Sequence, residues 1–234
     1  MKICILNIAT NKYIQFVDQL LESVKENFLN GHEITSLIFT EHEMKETPIN
    51  VKISKIDHEP WPMPTLKRYN YFVKEKEYIS EFDYVFYMDI DMRINKKVGD
   101  EILGDLVATQ HPGFWYKNKN QFTYERRPIS TAYIPPEEGR MYYAGGFNGG
   151  KPEHFLKMAE TISNNVNVDF SNGVVACWHD ESHMNRYLID NPPTVELTPS
   201  YCYPETGINN PEWNLSQFDV KIIALDKNHE EIRS

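Results

Sequence analysis

The sequence predicts an α/β protein in which helices flank a parallel, Rossmann-like sheet, and two observations carry that prediction. The chain opens with an apolar run, an amphipathic helix and a second apolar run, the β-α-β order that favours parallel pairing. Its most strand-like segment, Tyr84-Val85-Phe86-Tyr87-Met88, then runs directly into Asp89-Ile90-Asp91. Open α/β sheets hold their ligands just beyond the carboxyl ends of strands, so the two acids stand where that rule puts a site.

Ile3 to Ala9 is a compact apolar run suited to a buried strand. Asn11 can cap the helix that follows, in which Ile14, Val17, Leu20, Leu21, Val24 and Phe28 recur at helical spacing, with Asn30-Gly31 as its stop. Glu33 to Phe39 reads as the next strand and Val51 to Ile56 as another. Pro60, Pro62 and Pro64 stiffen a short connection, and Thr65 to Ile79 reads as one helix with Leu66, Tyr69, Phe72 and Val73 inward. The second half is less regular. Pro152 to Ile162 reads as a helix begun by proline, and Gly173 to Cys177 as a strand entering Trp178-His179-Asp180-Glu181-Ser182-His183. There are no repeats and no low-complexity segment.

With 234 residues and no stretch resembling an interdomain linker, the chain reads as a single domain. Its formal charge is −10, from 24 basic and 34 acidic side chains, and no long Lys or Arg block relieves it. That excludes a nucleic-acid surface and requires any anionic substrate to be met by locally concentrated positive charge. Cys4, Cys177 and Cys202 are odd in number and widely spaced, which argues against a zinc cluster or a disulfide framework and for a reducing compartment. The strand-like N-terminus is interrupted too soon by Asn7, Thr10 and Asn11 to be a signal peptide or a membrane span. A cytoplasmic protein is expected; oligomeric state is not readable.

On an extended backbone, residues i and i+2 point to one side, so Asp89 and Asp91 can face one cation together. Two carboxylates with phosphate oxygens make a hard oxygen shell suited to Mn²⁺ or Mg²⁺. The bland reading of the same triplet is a strand that ends in water. His179 and His183, four apart, invite a zinc-hydrolase reading, but that pattern needs Glu directly after the first His, where this chain has Asp180. The alternatives are a helix N-terminus whose acids answer the dipole over a buried Trp178, or a carbohydrate site in which Trp178 stacks on a sugar face. The glycines from Gly145 to Gly150 match no phosphate-loop pattern and instead permit close backbone approach to a ligand or another segment.

Taken in order, these segments resemble family 6 glycosyltransferases. The resemblance rests on Tyr84 to Asp91, Trp115-Tyr116-Lys117, Phe122-Thr123-Tyr124-Glu125-Arg126-Arg127 and Ala132-Tyr133-Ile134-Pro135. It continues through Tyr142 to Gly150, Trp178 to His183 with Asn185 and Tyr187, and Ser200-Tyr201-Cys202. It implies a GT-A fold, a Rossmann-like mixed sheet flanked by helices. The activity it implies is transfer from a UDP-sugar, with retention of anomeric configuration, usually making an α-1,3 bond to a galactose-containing glycan acceptor.

The same resemblance implies site residues. Mn²⁺, or Mg²⁺, would be held by Asp89 and Asp91, with Ile90 between them on the donor side. Ile8, Ala9, Thr10 and Tyr13 match the uridine segment, and Arg68, seven residues after Trp61, matches a donor-site arginine. Ala144 and Gly146, around Gly145, match the pair of positions that help choose the hexose. Trp115, Thr123, Trp178 and His179 match the acceptor side, with His179 and Asp180 also reaching the donor and Glu181 near the anomeric carbon. Lys227 and Arg233 match two basic residues that clasp the diphosphate. Residues 1–95 would be mainly the nucleotide half, 96–220 mainly the acceptor half and 221–234 a donor lid. Small Gly146 favours UDP-GalNAc over UDP-galactose, while Ala144 and Phe147-Asn148 depart from the mammalian residues. The mammalian cytoplasmic tail, membrane anchor and stem are not seen, as expected of a bacterial or viral homologue. A non-catalytic sugar-binding module on the same fold is the competing reading.

Overall fold

The computed structural model describes residues 1–44, 47–208 and 217–233. The opening β-α-β unit comprises β1 (Lys2–Ile8), a 3-10 turn over Asn11–Phe16, α1 (Val17–Asn27) and β2 (Glu33–Thr40). β3 (Asn50–Lys55) follows, then three short helices, α2 (Met63–Leu66), α3 (Arg68–Lys74) and α4 (Lys76–Ile79). Next come β4 (Tyr84–Met88), β5 (Met92–Ile94), β6 (Leu106–Gln110) and β7 (Tyr143–Gly150). The chain continues with α5 (Pro152–Ser171), α6 (His179–Asp190), β8 (Val195–Leu197), β9 (Tyr203–Pro204), β10 (Ile222–Ala224) and α7 (His229–Arg233).

The main sheet has the order β3-β2-β1-β4-β7-β6-β8, and β5-β10-β9 form a smaller one. From β3 to β4 all pairings are parallel. β7 runs antiparallel between β4 and β6, so the sheet is mixed, as the family resemblance implied and the β-α-β pattern alone did not. After β1 the chain builds outward to β2 and β3, then returns to the other side of β1 at β4. The carboxyl ends of β1 and β4 therefore form a topological switch point, the crevice where such sheets bind ligands.

Strand alternation sorts the core into two layers. Ile3 and Ile5 of β1, with Phe86 and Met88 of β4, pack under Leu20, Leu21 and Val24 of α1. Cys4 and Leu6, with Val85 and Tyr87, face the opposite layer, where Tyr69 and Phe72 of α3 meet Phe155 and Ile162 of α5. No helix among the described residues is long and apolar enough to cross a membrane.

Three sequence expectations change. The helix expected over Thr65 to Ile79 breaks where Lys67 and Glu75 take ψ of 7° and 17°. Asn11, at φ 51°, opens the 3-10 turn instead of capping a helix. Gly173 to Cys177 is not a strand. Its backbone polar groups are met by neighbouring turns and by side chains: the Val174 amide donates to the Asp169 carbonyl (2.8 Å), Arg127 Nη2 donates to the Val175 carbonyl (2.7 Å) and the Cys177 amide donates to Glu125 Oε2 (2.9 Å).

The glycine stretch permits the close backbone approach expected of it, and does so as a central strand. A methyl group on Gly149 would lie 2.4 Å from the Val85 carbonyl, and one on Gly150, at φ 141°, 2.2 Å from that of Asp105. The pairing with β6 jumps from Ala108↔Asn148 to Thr109↔Ala144, which releases residues 145–147 as a bulge. That bulge aims the backbone of Gly145 and Gly146 at the end of β4, where the Asp89 amide donates to the Gly146 carbonyl (2.9 Å).

Candidate active site

A cleft of roughly 340 Å³ opens at the switch point. Its floor is a buried charge network centred on Arg68, which α3 presents beneath the bulge of β7. The guanidinium donates through Nη1 to the Gly145 carbonyl (2.8 Å) and through Nη2 to Asp89 Oδ1 (3.3 Å). Its Nη1 also lies 3.2 Å from Asp180 Oδ2 and its plane 4.1 Å from the Tyr87 ring. Burial opposes this charge, but Asp180, Tyr87 and Asp89 more than offset it, so Arg68 is a permanent cation. Asp180 is 1% exposed, and burial pushes its carboxyl up to about 7 although Arg68 pulls it down. Its Oδ2 is buried, with the Arg68 guanidinium as its counter-ion.

Glu181 stands in the first turn of α6, its two oxygens fixed separately. The Gly145 amide donates to Oε2 (2.8 Å) and the Tyr142 phenol to Oε1 (2.9 Å). Burial pushes this carboxyl up to about 7 as well, against the two hydrogen bonds. Gly145 thus touches both signs of charge, its carbonyl on Arg68 and its amide on Glu181.

Asp89 and Asp91 both line the cleft, though for a reason other than strand alternation. The backbone turns at once after β4, and the Met92 amide donates to the Asp89 carbonyl (3.2 Å). Tyr87 hydrogen-bonds Asp89 Oδ1, and Lys227 pairs with Asp91. Burial and then the nearby Asp89 raise the Asp91 carboxyl, with Lys227 acting the other way.

No group of three or more His, Cys, Asp or Glu side chains among the described residues is arranged to hold a metal. A divalent ion here would therefore take two protein carboxylates and complete its shell from a ligand. The donor set fits: hard oxygens, a repelling pair, and a place where Lys227 already sets a cation on Asp91.

Ile8, Thr10, Tyr13 and Ile90 line the cleft as well. Ala9 does not; it is fully buried, its carbonyl accepting from the Thr40 hydroxyl (2.6 Å). Gly145 and Gly146 face the cleft, whereas Ala144 packs into the α1-side core. Trp178 is 49% exposed at the rim, which excludes the reading that buries it in the core. Trp115 stands outside the cleft lining, edge-on to Phe218 at 5.0 Å, and Thr123 adjoins Tyr142. The backbone of Arg233 ends α7, but its side chain lies outside the described residues. His179, at φ 51°, precedes the regular turns of α6 and lies edge-on to Trp61, while His183 is buried beside Asp169 (3.7 Å). The two imidazoles do not form a zinc site.

Sequence reasoning missed Tyr87 and Trp61 at the cleft, although both sit in quoted segments, and missed Tyr142 behind Glu181. The i, i+2 relation of Tyr87 to Asp89 was a usable signal for the first.

A sequence model of glycosyltransferase family 6 matches residues 1–234. The histo-blood group ABO system transferase 1 of Rattus norvegicus is 34% identical over 97% of this chain and 67% of its own length. The globoside alpha-1,3-N-acetylgalactosaminyltransferase 1 of Homo sapiens is 32% identical over 97% of this chain and 67% of its own length. The O-antigen biosynthesis glycosyltransferase WbnI of Escherichia coli is 30% identical, over 98% of this chain and 97% of its own. This chain spans about two thirds of the first two relatives and nearly all of the third.

Proposed function

Because the chain belongs to glycosyltransferase family 6, we propose that it moves GalNAc or galactose from a UDP-sugar to a galactose-containing glycan, retaining configuration and forming an α-1,3 bond. The observation that carries this reading is the convergence of Asp89, Asp91, Arg68, Asp180 and Glu181 on one cleft. Such a set can bind a diphosphate through cations and a sugar through carboxylates.

Asp89 and Asp91 would hold Mn²⁺ or Mg²⁺, which when bound supplies positive charge against the diphosphate leaving group. Lys227 adds an ammonium at the same rim, fixed charge where negative charge develops. Arg68 orients Asp89 and Asp180 without giving up its proton, and Asp180 lines the cleft where a donor-sugar hydroxyl would sit. Glu181, ionised, faces the sugar as nucleophile or as electrostatic partner of an oxocarbenium-like centre, either of which gives retention. Exposed Trp178 offers an apolar face to the acceptor. The absence of a side chain at Gly146 and the activity in the human relative's name favour GalNAc. In this scheme 1–95 serve mainly the nucleotide, 96–220 mainly the acceptor, and 221–234 the donor lid.

The deciding assay measures UDP release and product from UDP-GalNAc and UDP-galactose with galactose, lactose and fucosylgalactose acceptors, with and without Mn²⁺. No release in any combination overturns the transferase reading and leaves the sugar-binding module. Glu181→Gln should lower turnover by about 100-fold or more while UDP binding stays near wild type. Unchanged turnover would remove Glu181 from the chemistry.

A further inference from the structure

Tyr142 lies behind the cleft, is 1% exposed, and immediately precedes β7. As a ring it belongs to an aromatic cluster, stacked on Tyr124 at 5.3 Å and beside Phe114 at 4.4 Å. Its carbonyl accepts from the His111 amide (2.9 Å), so backbone and ring are both fixed. A phenylalanine would fill that space equally well. What packing does not explain is the hydroxyl.

That hydroxyl has one proton to give, and it goes to Glu181 Oε1 (2.9 Å). The phenol thus holds one oxygen of the carboxylate from a ring with no freedom to rotate away. The Gly145 amide holds the other oxygen (2.8 Å). Without the phenol, Glu181 would keep one tether and regain rotation about its terminal bond.

Resting on the transferase reading above, we infer that Tyr142 is a positioning residue for transfer: it fixes the plane of the Glu181 carboxylate. Burial raises the phenol's pKa, which keeps it a neutral donor throughout the working range. Its effect falls on the chemical step, since it touches neither the aspartate pair nor the Arg68 network.

The test is a double-mutant comparison in the full chain. Tyr142→Phe should lower kcat by about 10- to 100-fold, the loss of one hydrogen bond to a charged group, with donor KM and UDP affinity within about twofold. In a Glu181→Gln background the same change should cost less than about twofold, because its target is already gone. If Tyr142→Phe melts early, kcat is compared below its melting onset, where a purely structural role predicts wild-type turnover. An equal loss from Tyr142→Phe in both backgrounds, or a loss confined to UDP affinity, would overturn the inference. If wild type transfers no sugar, the functional reading fails and takes this inference with it; an active wild type matched by Tyr142→Phe defeats the inference alone.

Discussion

A methyl group added at Gly146 would stand 2.6 Å from Met92 Cε and 2.9 Å from Asp89 Oδ2. The methionine tip can swing aside, but turning the carboxylate would disturb the bonds that Asp89 Oδ1 makes with Arg68 and Tyr87. Gly146→Ala should therefore weaken Mn²⁺-dependent UDP binding by about tenfold, read by calorimetry, before any change in sugar preference is considered. Undiminished binding would show that Met92 absorbs the whole strain. Glu181 makes a second prediction. With its carboxyl held near 7 by burial instead of at an ordinary 4.5, it is protonated on the acid side of 7. A role that needs the anion then makes kcat rise with pH through about 7 and level off above it. A profile already flat through that region would mean that the ionised form is not required. The acids and Arg68 were legible in the sequence through the motifs they sit in. Ala144 was not, because which side of a bulged strand a residue faces depends on pairings that no local pattern records.

Among elements, β7 shows what its glycines are for. Four glycines in eight residues read as permitting close backbone approach, and they do so within a strand with neighbours on both sides. The glycines are there because the neighbouring backbone leaves no room for a side chain. Gly149→Ala should cost roughly 2–3 kcal/mol by overpacking, lowering the melting temperature by about 5–10 °C. A wild-type melting curve would mean that β4 can shift away. The opening β-α-β unit was readable because its apolar periodicity and its stop signals agree. β5, β6, β8, β9 and β10 were not, since none exceeds five residues and their pairings are long-range. Gly173 to Cys177 misled for the opposite reason, having the composition of a strand while Arg127 and Glu125 meet its backbone groups.

At the scale of the molecule, the cleft joins stretches that are far apart in sequence. Lys227 pairs with Asp91, and Lys12 Nζ donates to the Glu231 carbonyl (2.8 Å), holding α7 over the 3-10 turn. Removing residues 227–234 should raise the UDP-sugar KM by about tenfold or more, while the melting temperature moves by only about 2–4 °C, because the sheet lies elsewhere. Unchanged KM would argue against a lid, and collapse of the fold would make the segment a structural strap. The bond between Lys12 and Glu231 spans 219 positions, whereas the sheet begins from a neighbouring pair such as β1 and β2. Contacts of such separation close late in folding and open early on warming. Under the proposed lid role, competence to bind donor would be the last property the chain gains as it folds and the first it gives up as it frays.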